Sequence, residues 1–220
     1  MSLATLLLLA DTRFPTGAHA HSMGMEAAVG LGLVKTLGDV ETYIRGRLIT
    51  SASTEASFAA AANSGRFALA QLDREFAART PSPRARTVSR TLGRQLERAT
   101  RNTWPEMADL RTIHPDGPMQ PIALGSIARS AGLSHYETAL CSLHHAVGAA
   151  TTAAVRLMGC DPFAANDIAS RLCNNLEQVA TCAMRAAEVD ACSHLPANTS
   201  LLADAMMENH SKWEVRLFGS

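Results

Sequence analysis

The longest regular pattern in the chain lies behind Ser134, where Leu140, Leu143, Val147, Ala150, Ala154 and Met158 recur at steps of three and four. That period predicts an α-helix with one buried stripe. Ser134-His-Tyr-Glu137 in front of it has capping-box form, a hydroxyl and a carboxylate able to satisfy each other's backbone N–H groups. The other apolar segments are shorter. Residues 2–10 read as an apolar helix, followed by a loop through Pro15 and Gly17. A second helix is expected to start near Ser22, with Glu26 early in it, and to run to about Val34. Gly38-Asp39 offers a break and an N-cap for a helix through about Asn63. Phe67 to Ala78 is helical and closed by Thr80-Pro-Ser-Pro83, where two prolines forbid continuation.

Residues 84–103 form an arginine-rich helix ending at Trp104-Pro105, and 105–120, with three prolines and Gly117, reads as a long loop. Pro121 suits the first turn of a helix to about Ala131. Cys160-Asp-Pro162 ends the long helix and caps the next, expected to reach about residue 192. Pro196-Ala-Asn198 breaks the chain before a final helix near 199–207 and a tail. Strand-like alternation is hard to find. Residues 1–220 therefore read as a single all-α domain, a bundle of about eight to ten helices.

Composition supports that class. Of the 220 residues 47% are hydrophobic but only 5% aromatic; the abundant alanine and leucine favour helices over sheets. Twenty basic and twenty acidic residues cancel, so no global field draws in nucleic acid or a membrane surface. The cysteines, Cys141, Cys160, Cys173, Cys182 and Cys192, are odd in number and most sit in apolar helical surroundings, which points to reduced thiols that mainly pack. The apolar start lacks a basic flank and runs straight into Asp11 and Arg13, unlike a signal peptide. No run approaches a membrane span. The expected location is the cytoplasm.

Candidate chemistry is sparse. His19 and His21 share a side only if their segment is extended, and they are the weak metal candidates. His144 and His145 are adjacent on a helix, about 100° apart, and cannot both serve one ion from it. Cys192-x-His194 and the helical spacing of His210 and Glu214 define no site, and no zinc motif occurs. There is no phosphate-binding Gly-rich loop and no Gly-x-Ser-x-Gly elbow, so the reading is that the chain is not itself an enzyme. Arg86, Arg90, Arg94, Arg98 and Arg101 make a basic stripe on one helix. A solvated face is the simpler account of it. The alternative function is an adaptor that binds nucleic acid or an acidic protein through the stripe.

Three segments carry a family resemblance. Leu7 to Asp11, continued by Phe14-Pro15-Thr16-Gly17-Ala18-His19-Ala20-His21-Ser22-Met23-Gly24-Met25-Glu26, resembles the opening signature of the UreF family of urease accessory proteins. Ala153-Ala-Val-Arg156-Leu-Met is similar to that family's Ala-x-Val-Arg/Lys-Leu segment, and the tail from Met206 through His210 to Arg216-Leu-Phe-Gly-Ser220 to its Arg-Leu-Phe-x-Ser ending. The order matches and nearly the whole chain is spanned. The usual second Gly and aromatic of the signature are Ala18 and His19 here, and Glu214-Val215 replaces Tyr-Ser. The resemblance implies an all-α nickel-insertion chaperone that forms a homodimer, binds UreD (also called UreH) and recruits the GTPase UreG to apo-urease. Nickel would be cargo in transit, with no cofactor held firmly. The partner-binding residues it implies are Pro15, Gly17, His21, Ser22, Glu26, Arg156, His210, Arg216, Leu217 and Phe218.

Overall fold

The computed structural model describes residues 3–11, 14 and 20–219. Eleven α-helices and no strands occur among them. They are α1 (Leu3–Ala10), α2 (Met25–Gly30), α3 (Leu37–Leu48), α4 (Ser51–Ser64), α5 (Leu69–Ala78), α6 (Pro83–Thr100), α7 (Gln120–Ser130), α8 (His135–Met158), α9 (Pro162–Arg171), α10 (Cys173–Ala183) and α11 (Leu201–His210).

The centre of the fold is α4, packed between α7 and α8. Its run Ala59–Ala62 is buried on every side. Small side chains let backbones come close: a Cβ on Gly125 of α7 would lie 2.2 Å from the Ala59 carbonyl oxygen. The alanine-rich segment is therefore core. On α8 the expected stripe is in place, with Leu143, Val147, Ala150 and Ala154 buried and Leu140 and Met158 packed at its edges. The Ser134–Glu137 capping box is complete.

Several expected boundaries move. The helix expected from Ser22 to Val34 is only α2, because Met23 and Gly24 both take positive φ, 53° and 87°, and Gly32, also at positive φ, closes the other end. The cap at the head of α3 is Thr36, one turn earlier than Gly38-Asp39, and Asp39 is the returning member of its capping box. The helix expected to run on to Asn63 breaks at Ile49–Thr50, where the Thr50 hydroxyl donates to the Gly46 carbonyl at 2.7 Å; such back-bonding bends helices. The helix expected over 162–192 is α9 and α10, joined at buried Leu172, and gives way after Ala183 to a 3-10 turn, Met184–Ala187. The 105–120 segment contains a 3-10 turn, Leu110–Thr112, whose Leu110 is buried.

Candidate functional site: the seat of the C-terminal tail

The first and last sequence motifs meet. Gly24 is the pivot. Its φ of 87° suits glycine, and a Cβ there would lie 3.0 Å from both the Ala203 carbonyl and the Tyr43 hydroxyl. The Tyr43 hydroxyl donates to the Met23 carbonyl at 2.8 Å. This turn aims Glu26, in the first turn of α2, inward against α11. Buried Ser22 accepts the Glu26 N–H at 3.3 Å and fixes the start of the helix.

Glu26 is 8% exposed. Its carboxylate accepts the backbone N–H of Leu217 at 2.7 Å and of Phe218 at 2.9 Å. His210, fully buried at the end of α11, places Nε2 2.8 Å from the same carboxylate. With an ionised acid the imidazole is the donor there, so Nε2 carries a proton. Nδ1 is buried and has no hydrogen-bond partner among the described residues. Charge-assisted bonds of this kind are about twice as strong as neutral ones, and a buried carboxylate needs such partners to be tolerated.

The tail is held along its length. The Gly219 N–H donates to the Ala20 carbonyl at 2.7 Å, Arg84 donates to the Gly219 carbonyl, and Gly219 lies beside the His21 ring. The Phe218 side chain is 4% exposed and packs into the core cluster of α3, α4 and α8. The Arg156 guanidinium covers its ring at 4.4 Å, a cation–π contact. Trp213 lies on Gly30 and stacks obliquely on His210, ring centroids 5.4 Å apart. Facing outward are Arg216, Leu217 at 52% exposure and Val215 at 88%.

Of the residues named from sequence, Ser22, Glu26, Arg156, His210, Leu217 and Phe218 converge at this one place, with His21 at its rim. Arg216 points away. Pro15, Gly17 and His19 lie outside the described residues. Among the described residues no group of three or more His, Cys, Asp or Glu comes together as a metal centre.

The remaining candidates divide differently from expectation. The arginine stripe is a solvated face only in part: Arg94 and Arg98 are exposed, while Arg86, Arg90 and Arg101 are half-buried. Arg86 donates to the Thr80 and Pro81 carbonyls, Arg90 to Asp73 and the Gly117 carbonyl, Arg94 to the Asp116 carbonyl, and Arg101 to Glu97. Four of its five arginines bond to their own chain, which leaves less of the stripe to an outside ligand than its spacing suggests. His145 turns inward and donates from Nε2 to the Leu9 carbonyl at 2.8 Å, tying α1 to α8. Desolvation lowers its pKa to about 4 against that bond, while His144 is exposed. Cys141 and Cys192 pack in the core, the Cys141 thiol pushed up to about 12 by burial, but Cys173 and Cys182 are exposed. No helix among the described residues is long and apolar enough to cross a membrane.

Sequence reasoning missed Asp73 and Tyr43. Each sits among other polar residues of its helix, Asp73 beside Arg74 and Glu75 and Tyr43 beside Glu41 and Thr42, and their partners, Arg90 with Met119 and Met23, lie on other elements.

The class defined here is an all-α protein whose tail is bound into a carboxylate-centred seat made by its own N-terminal signature. Residues 34–173 match the family model described as UreF. The chain is 39% identical over 220 residues to "Urease accessory protein UreF" of Mycobacterium sp. (strain JLS), spanning 100% of this chain and 99% of that relative. It is 39% identical over 219 residues to the protein of the same name from Mycobacterium marinum, again 100% and 99%, and 38% identical over 183 residues to that of Mycobacterium tuberculosis, 82% and 86%. The chain belongs to the UreF family.

Proposed function

We propose that this protein is a urease-maturation chaperone of the cytoplasm. It acts with UreD (UreH) and the GTPase UreG to bring nickel to apo-urease, as a homodimer and without chemistry of its own. The observation that carries the reading is the seated tail. Glu26, His210 and Arg156 hold Phe218 and the backbone of Leu217, and the side chains of Val215, Arg216 and Leu217 are left outward for a partner. A small apolar patch with one guanidinium, on a rigidly held backbone, suits protein docking: little conformational entropy remains to be lost on binding, and arginine is favoured at such contacts.

Glu26 and His210 thus act as positioning residues, and Val215, Arg216 and Leu217 as the contacts. Nickel is cargo. A metal handed between proteins must be shielded yet released, so its ligands along the path should be few and shared with the partners. Modulation of the GTPase and a passage for the metal between the subunits belong to the same proposal.

The test is co-expression of the tagged chain with UreD and UreG of the same genome, with urease assayed in nickel medium. Capture of both proteins, with nickel-dependent activity lost when the chain is omitted, is the expected result. Failure to capture UreD, with urease activity unaffected by omission, would overturn the reading.

A further inference from the structure

A second pair of exposed apolar residues stands at the start of the tail. The tail runs back along α2: Trp213 lies on Gly30, Glu26 holds the Leu217 and Phe218 amides, and Gly219 bonds to Ala20. The connection from α2 to α3 therefore begins where the tail leaves α11. That connection is fixed at both ends. The Leu31 N–H donates to the Ala27 carbonyl at 2.9 Å, and the Leu33 and Val34 N–H groups both donate to the Ala28 carbonyl. Val34 is buried in the core, and Thr36 caps α3. Leu31 and Leu33 nevertheless stay 50% and 52% exposed, on a backbone that has no freedom to turn them inward.

Charge is distributed unevenly around these leucines and the tail. Lys35 and Lys212, the two lysines of the chain, are both exposed. The Lys35 side chain lies against Gly32, between the two leucines, and Lys212 precedes Trp213. Arg216 stands between Val215 and Leu217, and Arg156, also exposed, covers the Phe218 ring. Two acids belong to the same segments. Glu214 is exposed, whereas Asp39 is committed to the Lys35 and Thr36 N–H groups at 3.0 and 2.9 Å. Cations thus dominate the rim of an apolar strip, on a chain of zero net charge.

That pattern selects among occupants. A second copy suits it poorly, because in a two-fold interface the same patch meets itself and these cations would face one another. A lipid surface is recognised by a denser basic cluster or by an amphipathic helix, and this strip is loop and tail. A protein face with an apolar centre and an acidic rim complements both of its parts.

We propose, resting on the reading of the seated tail as a docking surface, that Leu31 and Leu33 with Lys35 and Lys212 extend that surface, and that the partner face it receives is apolar at its centre and acidic at its rim. The leucines add buried area to that of Val215 and Leu217. The lysines steer the approach and set the orientation. The homodimer seam lies elsewhere on the molecule.

The probe is UreD of the same genome, bound to the tagged full-length chain at rising salt. Lys35→Glu combined with Lys212→Glu is expected to slow association about tenfold at low salt and to flatten its salt dependence. Leu31→Ser combined with Leu33→Ser is expected to weaken binding about tenfold while the salt dependence is kept. Arg74→Glu, at an exposed arginine on α5, should change neither. The four substituted side chains are exposed, and an unchanged unfolding midpoint checks that each variant is folded. Wild-type binding in both double variants, with UreD still captured, overturns the proposal and leaves the docking role of the tail standing. Failure of the wild type to capture UreD removes both. Binding of the wild type to vesicles of phosphatidylcholine and phosphatidylserine, lost on reversal of the lysines, assigns the strip to a lipid surface, and loss of the homodimer in either double variant assigns it to a second copy; each of these results also overturns the proposal.

Discussion

Two buried carboxylates in this protein do the same local job with different consequences. Asp73 is 1% exposed, accepts the Met119 N–H at 2.7 Å and pairs with Arg90 at 3.0 Å. Glu26 accepts the Leu217 and Phe218 N–H groups and pairs with His210. Each pins an irregular segment by its backbone. Around Asp73 the pinned segment continues into α7, whose Ile122 and Leu124 are fully buried, and the cation is a permanent one. Around Glu26 the pinned segment is the tail, its outward side chains are exposed, and the partner is an imidazole that must keep the right tautomer. One carboxylate closes the core. The other holds a surface ready for use.

The largest effect is expected at Asp73. Asp73→Ala would strand Arg90, 11% exposed, and free the Met119 amide. Removing one member of a buried pair costs about 3–5 kcal/mol, measurable by urea unfolding. A loss comparable to a surface substitution would remove the distinction between the two sites. Next comes Gly93→Ala in the same region. Its Cβ would lie 2.0 Å from the Pro118 carbonyl oxygen, and since that neighbour is backbone, about 1–3 kcal/mol of strain is expected.

Phe218→Ala should behave differently. The side chain is buried, yet it belongs to a terminal element that can open by itself, at a free energy below that of global unfolding. The expectation is rapid carboxypeptidase trimming of the tail with a global change on the order of 1 kcal/mol or less, as for locally opening segments. A loss as large as that of Asp73→Ala would mean that the tail folds with the core.

The smallest effect concerns His145, away from both sites. Its folded-state pKa, about 4, lies below the ordinary 6.5. Its stabilising contribution is therefore present above the ordinary value and lost as pH falls towards the lowered one. Wild type should lose stability across that interval and His145→Gln should lose less. Identical pH profiles would contradict the inward, neutral assignment of the ring.

What was readable in the sequence follows the range of the interactions. The α8 stripe and the Ser134–Glu137 box are local, and both stand in the structure. The break at Thr50 and the joint at Leu172 were not readable, because tertiary packing selects them in segments of continuous helical propensity. The Arg86–Arg101 spacing was visible, but its meaning depends on Asp73 and on the carbonyls of residues 116–117, which no helical period reveals. The seat is the extreme case. Glu26 and the tail amides it holds are 191 and 192 positions apart, so residue chemistry could name each end without joining them. Family resemblance picked out both ends, and the fold brings them together.

The central claim is that Glu26 holds the tail by its backbone, and the amides themselves test it most directly. Hydrogen exchange at Leu217 and Phe218 should be slow in wild type and should reach the unstructured rate in Glu26→Ala, while the Met119 amide on Asp73 stays protected in both. Unstructured exchange at Leu217 and Phe218 in wild type, or protection unchanged by Glu26→Ala, would contradict the account.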